Sequence, residues 1–402
     1  MGNNNSKSVI CKCLNLLNVG EYRGLLADHR TRKLTTGKAI QIFVESQLAG
    51  RTSYDEISEH LRIMPDLQDD HLKSISASQL SRKIKQLPTD LLQAIFLCNI
   101  ARIQEITKQK QGIPNIGKLR ILDSTVLTLP TLAGRWAYWS KEQNAVKIHT
   151  QLVVADRETV FPGKIINSTA AVSDQEVALD LVVADDAIHV MDRGYIQYEL
   201  YESLIHQQMR FVARLQTKNK VTILHQRAVP EGSPITLDAD VEIQWNDKQK
   251  QTHHLQARLI EFTDEQKRTY RLLTNVQDRS AQEISEIYRY RWLIELFFKW
   301  IKQHLRLVKI YSANQTAIWN QIYLALIAYS LVLLIKLEMQ TDLSLWQILK
   351  RMRLYAERSW EEFQQAVLRP PSKPSKGRRK KGRPGRPRKH PLKLKSVKMV
   401  LE

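Results

Sequence analysis

Cysteine is scarce in this chain of 402 residues, which contains three in all. Cys11, Cys13 and Cys98 are too few for a disulfide framework, and no downstream Cys and His pair completes a zinc site with the first two. The small disulfide-stabilised secreted domains are therefore excluded as a class. We expect reduced thiols, as in a cytoplasmic protein.

Long apolar runs are also missing. The first residues, MGNNNSKSVICKC, offer no apolar core for a secretory signal. The longest apolar stretch, Tyr323 to Leu337, is shorter than a bilayer span and contains Lys336. We expect this stretch to be a buried helix and the protein to have no membrane partner.

Acidic residues are too few to balance the basic ones. Against 61 Lys and Arg stand 41 Asp and Glu, which gives a net charge of +20 and indicates a polyanionic partner. From Arg369 to the end there are 14 basic residues and one acid, so this tail holds +13 and the preceding 368 residues hold +7. The body is mildly basic and the tail strongly so.

Residues 1–115 carry apolar side chains at helical spacing, without a strand pattern. We predict a helical N-terminal DNA-binding domain. The segment Ser78–Lys83, SQLSRK, is a candidate recognition helix of a helix-turn-helix. A plain helical bundle with a solvated basic face is the alternative.

Strand-like patterns begin near residue 116. Three strands are predicted first, and then helices and strands alternate, with one helix running from Ser173 to about Ala184. The order predicts an α/β fold: an RNase H-like mixed five-stranded sheet with helices, its catalytic core divided between residues 116–216 and 276–368. The predicted strands are Leu119–Leu122, Val146–Ala155, Val160–Ile166, Ala187–Met191 and Phe211–Leu215.

Two further segments differ in composition from this core. Residues 217–275 read as short alternating strands and predict a β-rich insertion before the last catalytic helix. The composition of residues 369–402, which are rich in Pro, Lys and Arg, predicts a disordered basic tail. Its segment KGRPGRPRK resembles an AT-hook, which would place Arg383, Arg386 and Arg388 in an A·T minor groove. An unspecific polybasic arm is the alternative.

A narrow polar stripe marks the helix predicted to begin near Ala281. Tyr288, Arg291, Glu295 and Lys302 share one face, whereas apolar side chains occupy most other directions. Such a helix should be largely buried, and unpaired buried charges are costly. We therefore expect the stripe to face a polar cleft or a phosphate backbone rather than open solvent, where charged stripes are usually found.

Two aspartates follow predicted inner strands. Asp123 ends the strand Leu119–Leu122, and Asp192 ends Ala187–Met191. Either one alone is more often a turn or cap residue. Together with Glu295, however, they could converge and supply the oxygen ligands that Mg2+ requires.

The segment YRYRWLIELFFKWIK, residues 288–302, resembles the Tyr, Arg, Glu, Lys signature of bacterial insertion-sequence transposases of the DDE type. Asp192-Arg193-Gly194-Tyr195 looks like the second-aspartate motif of that family, and Asp123-Ser124-Thr125 looks like the first. The resemblance covers roughly Leu119 to Met339.

The resemblance implies specific roles. Asp123, Asp192 and Glu295 would be catalytic and would bind two Mg2+ ions, for which Mn2+ could substitute. Tyr288, Arg291 and Lys302 would lie near the phosphates of the transposon ends, and the protein would form a homodimer that holds two DNA ends.

Two more residues are candidate DNA ligands. Arg193 lies in the second-aspartate motif, beside Gly194. Some members of this family stack a flipped base on a tryptophan of the insertion, and Trp245 is the single tryptophan of residues 217–275. The alternative for Trp245 is an ordinary core position on a strand.

The predicted function is DNA transposition: metal-assisted phosphodiester hydrolysis at the ends of an insertion sequence, followed by strand transfer into target DNA. The expected partner is double-stranded DNA, both terminal inverted repeats and target, and the expected location is the cytoplasm at the bacterial nucleoid. The alternatives are a catalytically inactive DNA-binding regulator and a structure-selective nuclease that cuts without joining.

Overall fold

The computed structural model describes residues 8–25, 28, 31, 33–63, 74–130, 134–140, 143–247, 249–305, 307, 310 and 312–370. Contacts divide the chain into two units, Met1–Val367 and Leu368–Glu402. Arg383, Arg386 and Arg388 lie outside the described residues, so minor-groove binding by the tail stays a prediction.

One mixed sheet of ten strands runs through the described part of the chain. Its order is β2-β3-β1-β5-β6-β10-β9-β8-β7, and β4 pairs with β3. The pairs β1 with β5 and β5 with β6 are parallel, and the others are antiparallel. The strands are β1 (Leu119–Leu129), β2 (Tyr138–Ser140), β3 (Gln143–Val154), β4 (Val160–Thr169), β5 (Ile188–Met191), β6 (Arg210–Leu215), β7 (Thr222–Gln226), β8 (Ile235–Asn246), β9 (Thr252–Thr263) and β10 (Thr269–Thr274).

The sheet is larger than the five strands predicted. Strands β7 to β10 come from the segment predicted as an insertion, and they continue the sheet instead of forming a separate one. The connection is the antiparallel pairing of β10 with β6, where Thr274 lies opposite Val212. Without β10, the polar backbone groups on one side of β6 would form an open sheet edge, which is costly to leave unpaired.

Twelve α-helices are described, most of them in one core with the sheet. A second cluster of buried side chains lies between the sheet and α7. The helices are α1 (Val9–Asn15), α2 (Thr36–Ala49), α3 (Tyr54–Ile63), α4 (Ala77–Gln86), α5 (Thr89–Thr107), α6 (Ala178–Leu181), α7 (Tyr198–His206), α8 (Ala281–Arg289), α9 (Trp292–His304), α10 (Gln315–Glu338), α11 (Leu345–Leu354) and α12 (Trp360–Leu368).

Helix α10 is the central helix of the fold. It is longer than the apolar run from which a buried helix was predicted, and by length and composition its 24 residues could cross a membrane. However, 94% of its most apolar window is buried within the protein, against helices that include α2, α4 and α5. The N-terminal helices thus share one core with α10.

The candidate recognition helix corresponds to α4. Ser76 caps it in a capping box with Gln79, and α4 packs on α3. Arg82 is exposed, but Lys83 is buried, with its Nζ 3.2 Å from the Thr36 hydroxyl and 3.5 Å from Asp28. Lys83 is thereby committed to the protein interior. DNA recognition by the exposed face remains a prediction.

The helix predicted from Ser173 to Ala184 is much shorter in the structure. Ser173 and Glu176 exchange the hydrogen bonds of a capping box, but α6 itself covers four residues, Ala178–Leu181. Val182 adopts an extended conformation, which ends the helix. The prediction was therefore wrong about the helix length. Residues 173–177 precede the helix, so their side chains do not lie on a helix face.

Asn320 should be a key polar residue of this core. It is fully buried on α10, donates hydrogen bonds to the carbonyl oxygens of Ile84 (2.7 Å) and Leu87 (2.9 Å), and accepts one from Thr89. Asn320→Ala leaves these groups without partners and should lower the free energy of unfolding by about 2 to 3 kcal/mol. Urea unfolding measures this, with Gln315→Ala at the exposed start of α10 as the control; equal stabilities of the two variants would contradict it.

Candidate active site

Sheet register brings Asp123 and Asp192 side by side. Strands β1 and β5 pair in parallel up to Leu122 opposite Met191, so the next residue of each chain segment is an aspartate. The structure corrects one detail, because Asp123 lies inside β1 rather than at its end. Strand β1 continues to Leu129 because β3 is long enough to pair with it over its whole length.

The same register brings Arg214 to Asp192. Strands β5 and β6 are parallel, with Met191 opposite Ala213, and the Arg214 guanidinium lies 3.8 Å from the Asp192 carboxylate. No sequence motif indicated Arg214. The available signal was a charged residue near the carboxyl end of the predicted strand Phe211–Leu215, which adjoins the Asp192 strand.

The predicted single helix after Ala281 is in fact two helices. Helix α8 ends at Arg289 and α9 begins at Trp292, with Tyr290 and Arg291 between them. The amides of Tyr290 and Arg291 donate to carbonyls three residues back, at 3.2 and 3.0 Å. Such bonds form a tighter turn of the 3-10 type between the two helices. The polar residues of α8 and α9 therefore do not lie on one face of a single straight helix.

The helix α9 is also less buried than predicted. Ile294, Phe297 and Ile301 are buried, but Trp292 is 56% exposed and Leu296 is 42% exposed. The sheet and α10 can cover one side of α9 and no more, because a helix presents its side chains in all directions. Two apolar side chains therefore face solvent close to Glu295.

Arg291 connects two of the three predicted carboxylates. Its Nη1 donates to Asp123 Oδ2 at 3.1 Å, and its Nη2 donates to Glu295 Oε1. The third carboxylate has a different donor, because the Tyr288 hydroxyl donates to Asp192 Oδ1 at 2.9 Å. Two adjacent hydrogen-bonded sets result, one of Asp123, Arg291 and Glu295 and one of Asp192 and Tyr288, and the Arg291 guanidinium carbon lies 5.9 Å from the Tyr288 ring centroid.

Burial dominates the electrostatics of Asp123. It raises the pKa of the Asp123 carboxyl to about 6; the neighbouring carboxylates of Asp192 and Asp174 add to the rise, while the Ser124 amide and Arg291 oppose it. Burial likewise raises the pKa of the Tyr288 hydroxyl, which therefore stays protonated and remains a donor. The carboxylates of Asp123, Asp192 and Asp174 thus concentrate negative charge in one region of the protein.

Lys302 and Arg193 occupy different positions beside this group. Lys302 Nζ donates to the Val126 carbonyl of β1 at 3.0 Å, and burial lowers the pKa of its amine. Arg193 is exposed in a short 3-10 turn, Arg193–Tyr195, directly after Asp192. Both stay candidate DNA ligands.

Trp245 lies on β8 of the insertion. It is not one of the hydrogen-bond partners of Arg291 and Tyr288. Its ring stacks on His253, with 4.5 Å between the ring centroids, and it packs against the second core cluster. A role in base stacking remains a prediction for this residue.

A cleft of about 340 Å³ adjoins the carboxylates. Arg214 lies over the face of the Tyr270 ring, with its guanidinium carbon 4.3 Å from the ring centroid, and Arg268 approaches the same ring at 5.9 Å. Sequence analysis did not identify Tyr270 or Arg268. The lining is Arg214, Phe262, Asp264, Glu265, Gln266, Arg268, Tyr270, Tyr288, Arg289, Arg291 and Trp292.

The arrangement of the carboxylates is that of a site neutralised by protein cations. Among the described residues, no group of three or more His, Cys, Asp or Glu side chains has the geometry to hold a metal ion. Arg291 instead lies between Asp123 and Glu295 and supplies positive charge there. Oxygen atoms are nevertheless the donors that Mg2+ prefers, so the donor set itself fits this ion.

Residues 115–331 match the family model described as Transposase DDE domain. The match covers more than half of the chain, and the chain therefore belongs to the family of transposases with a DDE domain. It is a DNA transposase of the bacterial insertion-sequence type, as the sequence motifs predicted.

Two relatives in sequence are named as transposases. A probable transposase for insertion sequence element IS5377 of Geobacillus stearothermophilus is 28% identical over 272 residues, 67% of this chain and 70% of the relative. A putative transposase, y4zB, of Sinorhizobium fredii is 29% identical over 53% of this chain and 60% of its own. A solved piggyBac transposase synaptic complex with hairpin DNA overlaps 90% of this chain and 82% of its own at 10% identity, with a TM-score of 0.44.

Neutralising Asp123 should stabilise the metal-free protein. The pKa of Asp123 is above the unfolded value, so its ionised form in the folded state opposes folding as the pH rises through about 6. Asp123→Asn should raise the free energy of unfolding by about 2 kcal/mol at pH 7.5 and by much less at pH 4. Urea unfolding without divalent ions measures the difference, with the exposed Asp180→Asn as control. A stabilisation independent of pH would contradict the buried charge.

Proposed function

We propose that this transposase cuts and joins DNA strands at a site formed by Asp123, Asp192 and Glu295 on an RNase H-like core. One observation carries the proposal: a single guanidinium, that of Arg291, binds carboxylates that are 172 positions apart in the chain. The adjacent register of Asp123 and Asp192 supports it, as does the order β4-β3-β1-β5-β6 within the sheet.

Asp123, Asp192 and Glu295 would hold two Mg2+ ions, or Mn2+ in their place. When bound, the metal makes a water or a 3′ hydroxyl more nucleophilic and stabilises the charge that develops on the phosphate oxygens. The raised pKa of Asp123 supports this role, because a carboxylate that is costly to ionise alone gains most from a bound cation.

Arg291 would exchange partners during this process. Its guanidinium binds Asp123 and Glu295, which are the groups that a metal ion would also require. A DNA phosphate is a comparable anionic acceptor for a bidentate guanidinium. We expect DNA binding to draw Arg291 to the phosphate, which releases both carboxylates.

The cleft beside the carboxylates suits a DNA strand. Arg214, Arg268, Arg289 and Arg291 outnumber the acids Asp264 and Glu265 in its lining. Basic side chains bind the phosphate backbone of DNA. Tyr288 and Lys302 would hold the end of the transposon through a hydroxyl and an ammonium group.

The remaining parts of the proposal concern assembly. A homodimer would hold two terminal inverted repeats together with target DNA in the bacterial cytoplasm, near the nucleoid. The basic charge of the chain supports DNA as the partner. The exposed face of α4, which includes Arg82, would contribute to end recognition.

Each carboxylate of the site should be essential for strand cutting. We expect Asp123→Ala, Asp192→Ala and Glu295→Ala each to reduce single-turnover cleavage of a terminal-repeat DNA by about a thousandfold or more, since each removes a metal ligand. End binding in a gel shift should persist, because the phosphate-binding residues are unchanged.

Asp180→Asn, which alters an exposed carboxylate of α6, is the matched control and should cut normally. Normal cutting by any of the three alanine variants would remove that residue from the site. A wild-type protein that cuts but never joins strands would instead indicate the structure-selective nuclease, and one that binds ends without cutting would indicate the inactive regulator.

Arg291→Gln should separate metal binding from DNA binding. Without DNA, removal of the cation that competes for Asp123 and Glu295 should tighten Mn2+ binding about threefold or more, because the local negative charge is no longer neutralised. End binding should weaken at the same time, since a phosphate ligand is lost.

Manganese binding is measured from the electron paramagnetic resonance signal of free Mn2+. Lys302→Ala is the control, because Lys302 donates to a backbone carbonyl and not to the carboxylates. It should weaken end binding and leave Mn2+ affinity unchanged. Weaker Mn2+ binding by Arg291→Gln would contradict the exchange.

A further inference from the structure

A fourth carboxylate, Asp174, lies beside the site in the loop between β4 and α6. Its Oδ1 is 3.1 Å from Nδ1 of His149 and 3.5 Å from Nζ of Lys147, both on β3. The His149 side chain is fully buried, and the Asp174 side chain is 21% exposed. Asp174 therefore forms an ion pair with Lys147 and contacts His149, both on β3. Strand β3 pairs with β1, the strand that contains Asp123.

The bonds of His149 orient its ring toward Asp174. The Ser168 hydroxyl donates to the Thr169 carbonyl, so its oxygen accepts the hydrogen bond from His149 Nε2 at 2.9 Å. Nδ1 then lies 3.1 Å from Asp174 Oδ1, and the ammonium group of Lys147, 3.5 Å from the same oxygen, attracts the carboxylate. The carboxylate of Asp174 is thus held from the β3 side.

Two further contacts connect Asp174 to the catalytic aspartates. The Ser124 hydroxyl, on the residue after Asp123, is among the groups that lower the pKa of the Asp174 carboxyl, so the two side chains are neighbours. On the other side, a Cβ built on Gly194 would lie 2.8 Å from Asp174 Oδ2. Gly194 stands two residues after Asp192, in the short turn that follows β5.

Gly194 is therefore a glycine for reasons of space rather than backbone conformation. Its φ lies outside the left-handed region, so an alanine could adopt the same backbone. The obstacle is the Asp174 carboxylate, which is kept in place by its ion pair with Lys147 and its contact with the buried His149. Close approach of one fixed side chain to a backbone is a recognised use of glycine.

We propose that Asp174 is a positioning residue that fixes the spacing between Asp123 and Asp192. Its carboxylate is held by Lys147 on β3, lies beside Ser124, the residue after Asp123, and lies close to Gly194 in the turn that follows Asp192. Through these contacts it sets how the two aspartates face a divalent cation. The proposal rests on the proposed function, since it concerns the metal-binding form of the same aspartates.

The direct test is Mn2+ binding without DNA, read from the electron paramagnetic resonance signal of the free ion. Asp174→Asn should raise the dissociation constant about tenfold or more, as expected for a residue that orients metal ligands. Ser124→Ala removes one hydroxyl and should act in the same direction with a smaller effect. Asp180→Asn, in the same region of chain, removes an equal charge and should have no effect.

A double-mutant cycle separates positioning from charge. Gly194→Ala should weaken Mn2+ binding about tenfold in the wild-type background, where the new methyl group meets the carboxylate. In the Asp174→Ala background, where that carboxylate is absent, the same change should cost less than about twofold. In the Asp174→Asn background the side chain keeps its size, so Gly194→Ala should remain costly.

The outcomes are distinct. Unaltered Mn2+ affinity in Asp174→Asn, or an equal cost of Gly194→Ala in all three backgrounds, would overturn the positioning role while leaving the proposed function standing. Absence of Mn2+ binding and of cleavage in the wild-type protein would overturn both. Circular dichroism at the assay temperature verifies that each variant is folded, and Ser124→Ala provides the test should Asp174→Asn fail to fold.

Discussion

The guanidinium of Arg291 is the interaction on which the site depends. Asp123, Asp192 and Glu295 bring negative charge into a half-buried region, where uncompensated charge is costly. Arg291 binds two of these carboxylates, and Tyr288 and Arg214 approach the third. The pKa of Asp123 stays raised to about 6 despite these partners, so the compensation is incomplete and the site retains an affinity for further positive charge.

Two features of the fold bring Arg291 and the three carboxylates together. The parallel register of β1, β5 and β6 places Asp123, Asp192 and Arg214 next to one another on neighbouring strands, near the carboxyl ends of β5 and β6. The tightened turn between α8 and α9 then directs Tyr288 to Asp192 and Arg291 to Asp123 and Glu295. Neither feature requires a ligand. Contacts within the protein thus bring the acids together, and Arg291 and Arg214 lie among them.

Much of this could be predicted from the sequence, because local patterns carry it. The family, the two aspartates that follow apolar segments and the polar residues Tyr288, Arg291, Glu295 and Lys302 can all be read from short segments of sequence. What could not be predicted depends on contacts between distant segments. Examples are the pairing of β10 with β6, which joins the insertion to the main sheet, and Arg214, whose importance arises from its neighbour Asp192.

Errors in the prediction have the same origin. The helix expected from Ser173 is short, because its first residues serve other contacts and Asp174 turns toward His149. The break at Tyr290 and Arg291 involves ordinary helix-forming residues, so no propensity signal marks it. The exposure of Trp292 and Leu296 depends on how much of α9 its neighbours can cover, which a single sequence does not reveal.

The central claim is that Asp123, Asp192 and Glu295 surround one place in the folded protein and bind a divalent ion there. Fe2+ in the presence of ascorbate and peroxide generates hydroxyl radicals that cut the polypeptide backbone close to the bound ion. The account predicts cuts near residues 123, 192 and 295 together, all suppressed by excess Mg2+. Cuts near one of these positions alone, or cuts that persist in excess Mg2+, would contradict it.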